Sequence, residues 1–201
     1  ARFMFIAECR ELFGDKVIAE MRGMSDADGR SPFWESLGRH FFTMEFSRAD
    51  YLTGLGNKSF IAELMPKFPL YTCFLTEEAQ AVIGRVHPHT EPALAMLKGE
   101  GFSYQGYVDI FDAGPAIEVQ TDKIRAVADS QLLILSIGTP GDEAVPYLMH
   151  NRKREDCRIT AAPARVASGT LVVDALTAKR LQLTAGSQVR AVPLSARDAQ
   201  N

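Results

Sequence analysis

The residues best suited to chemistry in this sequence are two histidines that bracket a proline, His87-Pro88-His89. Pro88 restricts His87 to an extended backbone, so its imidazole sits on a stiff loop. An imidazole titrates near about pH 6.5, and one held in place can give or take a proton at working pH. The alternative is a loop histidine with no chemical role. Zinc is a poor use of the pair. Two residues apart on extended chain lie a full pleat repeat from each other, and no Asp, Glu or Cys ligand set stands at a recognised spacing. His40, between a glycine and an aromatic run, reads as packing or surface, and His150 reads as surface. The adjoining Asn151-Arg152-Lys153-Arg154 reads as a solvated basic loop. Cys73 has no local signal that lowers its pKa and reads as a packed thiol. Glu20 and Glu63 stand in apolar, strand-like contexts. Each is either a base with a raised pKa or the outward residue of an alternating strand. Neither a Walker-type phosphate loop nor Gly-x-Gly-x-x-Gly occurs.

The elements that must carry these groups start with an apolar helix over Arg2-Phe3-Met4-Phe5-Ile6, with Ala7, Leu12 and Phe13 on its inner face and Glu8, Arg10 and Glu11 on the other. Lys16 to Arg22 predicts a strand with a buried centre, and Gly23 to Arg30 a loop. Ser31-Pro32 has the form of an N-cap followed by Pro at the first helical position. Phe33, Trp34 and Leu37 give that helix its apolar face, and Gly38 closes it in a left-handed conformation. Phe41 to Phe46 predicts an aromatic strand. A second unit echoes this plan: a strand over Ser59 to Leu64, a helix opened by Glu91-Pro92, and strand material over Phe102 to Phe111. Between its first strand and its helix lies a longer insert, which holds a helix over Glu77 to Ile83 and the His-Pro-His loop. Beyond Gly114 the pattern becomes β-rich. Strands are predicted over Leu132 to Ile137, Arg165 to Val173 and Val189 to Leu194, with a helical turn over Thr177 to Leu181, as in a partly closed barrel. Ser195 to Asn201 reads as a frayed tail.

Composition bounds the function classes. The 201 residues, 46% hydrophobic and 23% charged, are those of an ordinary globular protein, one large domain or one with a small appendage. A net charge of -3 gives no electrostatic reason for nucleic acid or an anionic membrane as partner. Three widely spaced cysteines make no disulfide framework, which points to a reducing, cytoplasmic setting. The apolar run from Leu132 to Leu135 is far too short to span a bilayer. The chain opens inside a helical pattern without an initiator Met or an N-cap, so upstream sequence is expected to be missing.

Longer motifs carry a resemblance. VIAEMRGMSD, SPFWESLGRHFF, FIAELMPKFPLYTCFL, IGRVHP and GYVDIFDAGP, within Lys16 to Gly114, resemble the arginine N-succinyltransferase family, in its beta-type or single-subunit form. The likeness extends more loosely through HNRKREDCRITAAPAR and LTAGSQVRAVPL. It implies an α/β fold: tandem GNAT-like elements over residues 1–114 and a small β-rich region over 115–201. It also implies transfer of a succinyl group from succinyl-CoA, a co-substrate with no other cofactor bound, to the α-amino group of L-arginine, in a homo- or hetero-oligomer. His87, with matching Gly84, Val86 and Pro88, falls on the family's proton donor. Arginine recognition calls for carboxylates, and Asp109, Asp112 and Glu63 are the candidates. GNAT proteins hold the CoA pyrophosphate at a helix N-terminus. The opening helix is similar to that helix entered after its first turn, so the phosphate loop is expected before Ala1 and no cofactor-binding residue is assigned. The rival expectations are a non-catalytic subunit that stabilises a complete enzyme, and a generic GNAT transfer of acetyl groups.

Overall fold

The computed structural model describes residues 1–55, 63 and 67–194. In chain order the first elements are helix α1 (Arg2–Glu8) and strand β1 (Lys16–Glu20), then a wide π-type turn (Trp34–Gly38) that runs into α2 (Arg39–Phe41), and α3 (Phe46–Gly54). Next come α4 (Glu77–Val82), a 3-10 turn (Pro88–Thr90), α5 (Glu91–Gly99), β2 (Ser103–Val108), β3 (Pro115–Gln120) and α6 (Arg125–Ala128). The last are β4 (Gln131–Ile137), β5 (Val145–His150), β6 (Ile159–Ala167), β7 (Thr170–Val173), α7 (Ala175–Leu181) and β8 (Gln188–Pro193). The fold is mixed α/β with a small barrel. Among the described residues it forms two compact units: one from 1–17, 99–101 and 119–194, the other from 18–98 and 102–118.

The first unit is built on a closed five-stranded barrel in the order β4-β7-β6-β5-β8. Leu133, Leu135, Met149, Leu171, Val173, Leu181 and Val189 fill it, each at most 6% exposed. Closure removes the unpaired edges that an open sheet would present. Asp174 caps α7, its carboxylate accepting the Thr177 N–H at 2.6 Å, and Gln182 ends that helix at φ 53°. Met4 of α1 packs with Ala126 and Val192.

Several sequence expectations change here. The single strand expected over Arg165 to Val173 is two, because Ser168 and Gly169 both take positive φ and reverse the chain as a tight hairpin. The barrel is closed rather than partly closed, since β5, absent from the sequence expectation, joins β6 to β8. His150 is fully buried rather than on the surface. Its Nδ1 accepts the Arg152 N–H at 2.8 Å, and its Nε2 lies 3.3 Å from Cys157 Sγ. Glu8 is also drawn inward: its two carboxylate oxygens take Arg152 Nε at 3.0 Å and Arg190 Nε at 2.8 Å. The basic cluster is therefore partly an internal ion-pair partner and not only a solvated loop.

The second unit holds most of the sheet ordered β1-β3-β2, with β2 and β3 antiparallel. Its aromatic core gathers on Trp34, which stacks on Phe42 at 5.3 Å between ring centroids and leans on Phe111 at 5.4 Å. Trp34 Nε1 donates to the Met44 carbonyl at 3.2 Å. Ser31 caps as expected, accepting the Trp34 N–H at 3.3 Å. Gly38 does not act as a left-handed cap: its φ is -57°, and a Cβ there would lie 2.3 Å from the Trp34 ring. It is glycine because the indole covers it. Phe41 to Phe46 is not a strand; these aromatics pack around Trp34 in helical and irregular conformations. The centre of β1 is not buried either, since Ile18 is 59% exposed. The strand expected over Ser59 to Leu64 lies outside the described residues except for Glu63, as does the tail from Ser195. The helices expected at Glu77 and Glu91 are present, the first capped by Thr76, whose Oγ1 accepts the Ala79 N–H at 3.3 Å. Cys73 is exposed, not packed.

Candidate functional site

His87 is fixed by its main chain on both sides. Past the end of α4, Gly84 takes φ 73° and donates its N–H to the Ala113 carbonyl at 2.9 Å. The His87 N–H then donates to the Arg22 carbonyl at 2.8 Å, and the His87 carbonyl accepts the Thr90 N–H at 2.8 Å. Its backbone, at φ -59° and ψ 137°, is the extended one that Pro88 demands. The side chain is fixed as well: Nδ1 accepts the His89 N–H at 3.2 Å. That bond assigns the proton of the neutral ring to Nε2. Partial burial, followed by the Arg22 guanidinium and then His89, holds the His87 pKa below that of an ordinary imidazole. His89 is exposed, its ring 4.9 Å from that of His87. Among the described residues no group of three or more His, Cys, Asp or Glu side chains is placed to hold a metal ion.

A cavity of about 590 Å³ opens at the end of β1, lined by Glu20, Arg22, Phe46, Asp109, Phe111 and Asp112 together with Met21, Gly29 and Ser47. The expected guanidinium ligands separate here. Asp112 is buried, and both of its oxygens serve the main chain: Oδ2 accepts the Gly23 N–H at 2.7 Å and Oδ1 the Gly114 N–H at 2.8 Å. Both partners must be glycine. A Cβ on Gly23 would lie 2.3 Å from the Asp112 carbonyl oxygen, and one on Gly114 would lie 2.0 Å from the Met21 carbonyl oxygen. Asp109 is half-buried and accepts the Phe111 N–H at 2.7 Å on Oδ1. Desolvation, with the charges of Asp112 and Glu20 adding, pushes its pKa up, while the Phe111 and Asp112 N–H groups oppose the rise. Glu63 is exposed and is not among the residues lining the cavity. Glu20 is the outward residue of an alternating strand, at the cavity wall.

The structure thus places His87 beside Arg22 and gathers Glu20, Asp109 and Asp112 in one cavity. Arg22 is the residue that sequence reasoning misses. Its spacing of two from Glu20, at the end of a strand, is the available signal, because such residues share a side of the chain. A larger cavity, about 900 Å³, lies on the barrel against Asp129, Asp142, Glu143, Tyr147 and Arg165. It holds no histidine or cysteine, and its Arg165 is engaged by the Pro140 carbonyl at 3.1 Å.

Comparison with known proteins adds a second line. Residues 1–126 match the family model described as arginine N-succinyltransferase beta subunit, and residues 130–193 match the model for the C-terminal domain of that same beta subunit. The chain is 83% identical over 196 residues to an arginine N-succinyltransferase subunit beta of Pseudomonas aeruginosa, covering 98% of this chain and 58% of that protein. It is 49% identical over 199 residues to an arginine N-succinyltransferase of Escherichia coli, again with 98% and 58% covered. Among solved structures, subunit AI of the arginine/ornithine succinyltransferase from Pseudomonas aeruginosa is similar at a TM-score of 0.85 and 33% identity, over 97% of this chain and 56% of that one. The chain therefore spans 58% of the length of these curated relatives.

Proposed function

The chain belongs to the arginine N-succinyltransferase family, and from that premise we propose that it supplies the proton donor and acceptor side of an enzyme moving a succinyl group from succinyl-CoA to the α-amino group of L-arginine. The amine nitrogen bonds to the thioester carbonyl carbon, the C–S bond breaks, and one proton passes from the nitrogen to the CoA sulfur. His87 delivers that proton from Nε2. The observation that carries this role is the tether of the imidazole: Nδ1 is engaged by the His89 N–H and the backbone is bound to Arg22, so only Nε2 is presented. A second proton at Nδ1 would oppose the His89 N–H. The imidazolium formed during turnover is therefore a stronger acid than usual and gives up its proton readily, in a step typically worth a factor of about 100 to 10,000.

Succinyl-CoA is consumed in each turnover and so acts as a co-substrate. The three-stranded sheet with helices before and after its strands supports reading residues 1–114 as GNAT-like elements. The names of the relatives, a subunit beta and a subunit AI, favour action within an oligomer. Among the described residues no helix is long and apolar enough to cross a membrane. Three widely spaced cysteines with no disulfide between them favour a reducing, cytoplasmic setting. A second reading is a stabilising subunit without turnover, which the name of a relative as a subunit beta supports.

Release of free thiol from succinyl-CoA in the presence of arginine separates the two. Release from the 201-residue chain, lost with acetyl-CoA and reduced about 100- to 10,000-fold in His87→Ala, supports transfer through His87. No release, with activity restored in a version of the length of its relatives, supports the subunit reading. Full activity of His87→Ala in the active form would remove the proton-donor role.

A further inference from the structure

The cavity at the end of β1 carries charge of both signs that no ion pair neutralises among the described residues. Asp112 is fully engaged by Gly23 and Gly114. Arg22 meets Ser25 Oγ, at 2.8 Å, and pairs with no carboxylate among the described residues. Glu20 is exposed, and Asp109, which accepts the Phe111 N–H on Oδ1 and is also met by the Asp112 N–H, has no cationic partner among the described residues. Glu20 and Arg22 lie on either side of buried Met21, and both line the cavity. On extended chain their positions are roughly 6.7 Å apart, a separation comparable to that between the charged ends of a basic amino acid.

We propose that this cavity is the pocket for the acceptor amino acid, with Asp109 and Glu20 receiving its cationic side chain and Arg22 its α-carboxylate. The assignment rests on the acyl transfer proposed above and adds to it the residues that choose the acceptor. A neutral or anionic ligand would leave Asp109 facing Glu20 and Asp112 without relief, whereas a cation cancels that repulsion. Phe46 and Phe111 give the aliphatic stem apolar wall to lie on. Because the Arg22 carbonyl accepts the His87 N–H, a carboxylate held by Arg22 brings the neighbouring α-amine toward His87. Asp112 has no part in recognition.

The test is binding of L-arginine to the whole chain by calorimetry, with and without CoA, for the wild type, Asp109→Asn, Glu20→Gln and Arg22→Gln. Agmatine, which lacks the carboxylate, and L-citrulline, whose side chain is uncharged, are the probes. Asn keeps the Oδ1 that accepts the Phe111 N–H, so Asp109→Asn preserves the turn. Arginine binding is expected to weaken by about 10- to 100-fold in Asp109→Asn and in Arg22→Gln, the loss of one charge-assisted contact. Agmatine binding is expected to change in Asp109→Asn and not in Arg22→Gln. Citrulline is expected to bind the wild type at least about 10-fold more weakly than arginine. Absence of arginine binding to the wild type, or equal binding in the wild type, Asp109→Asn and Glu20→Gln, overturns the pocket. Thiol release from succinyl-CoA is scored separately. Arginine binding in the expected pattern without thiol release refutes the transfer and keeps the pocket. Thiol release indifferent to Asp109→Asn and Glu20→Gln refutes the pocket and keeps the transfer.

Discussion

Replacing Asp112 tests whether a carboxylate in the cavity at the end of β1 serves the fold or a ligand. Its two oxygens accept the Gly23 N–H at 2.7 Å and the Gly114 N–H at 2.8 Å, and the residue is only 8% exposed. A buried hydrogen bond to a charged acceptor contributes about 1.5–3 kcal/mol, so Asp112→Ala, which orphans both amides, should cost about 3–6 kcal/mol. That is a large share of a domain's total stability of about 5–15 kcal/mol. Asp112→Asn keeps one oxygen but turns an NH₂ toward the other amide, so it should cost about half as much, roughly 1.5–3 kcal/mol. The assay is urea unfolding followed by fluorescence of Trp34, the sole tryptophan, which is fully buried in the same unit. The midpoint should fall in the order wild type, Asn, Ala, with the slope unchanged. A fully stable Asp112→Asn protein with weakened arginine binding would refute the reasoning and make Asp112 a substrate ligand.

Three further outcomes follow from the packing. Buried His150 has its pKa lowered by desolvation first, with Arg190 and Arg152 adding and Glu8 opposing. Its contribution to stability is therefore complete above the unfolded value of about 6.5 and is lost as pH falls below it, at up to about 1.4 kcal/mol per pH unit. His150→Gln should flatten the pH dependence of the melting temperature between roughly pH 5 and pH 7, a window around that value, and parallel curves would count against it. Glu8→Gln removes the charge shared by Arg152 and Arg190 and should cost about 3 kcal/mol, because Glu8 is 10% exposed and its partners are only partly so. Equal urea midpoints for this variant and the wild type would rule that out. Gly38→Ala drives a Cβ to within 2.3 Å of the Trp34 ring and should cost about 1–3 kcal/mol while shifting Trp34 emission. An unshifted spectrum at full stability would mean that the indole moves aside freely.

The sequence is legible wherever the physics is local. Ser31-Pro32 starts a helix and Glu91-Pro92 opens another because caps and proline act within one turn. The strand at Leu132 to Ile137 and the helical turn before Leu181 are legible for the same reason. The aromatic run Phe41 to Phe46 misleads because ring content alone does not tell a strand from side chains gathered on Trp34. The turn at Ser168-Gly169 is written in the residues themselves; glycine there permits the positive φ that splits one expected strand into two. His150 looks exposed because its next neighbours are Asn, Arg and Lys, whereas in the fold the Phe5 ring, from the far end of the chain, packs against it at 6.3 Å. For the candidate site, His87 is visible through Pro88, but Arg22 and Glu20 become cavity residues only when β1 lies beside the turn that carries Asp109.

The same main-chain bonds that build the cavity also place the histidine. Arg22 and Gly23 are consecutive: the carbonyl of one accepts the His87 N–H and the N–H of the other donates to Asp112. Ala113 and Gly114 are also consecutive: the carbonyl of one accepts the Gly84 N–H, three residues before His87, and the N–H of the other donates to Asp112. The His87 loop is thus bound twice to the two strand ends that Asp112 clamps together. Loosening the clamp must move the imidazole and the Asp109 wall in one step. Asp112→Asn should therefore lower kcat and weaken arginine binding together, whereas Asp109→Asn, which leaves the clamp intact, should weaken binding with a smaller effect on kcat. If the two variants gave the same division between kcat and KM, the loop and the cavity would not be mechanically one piece.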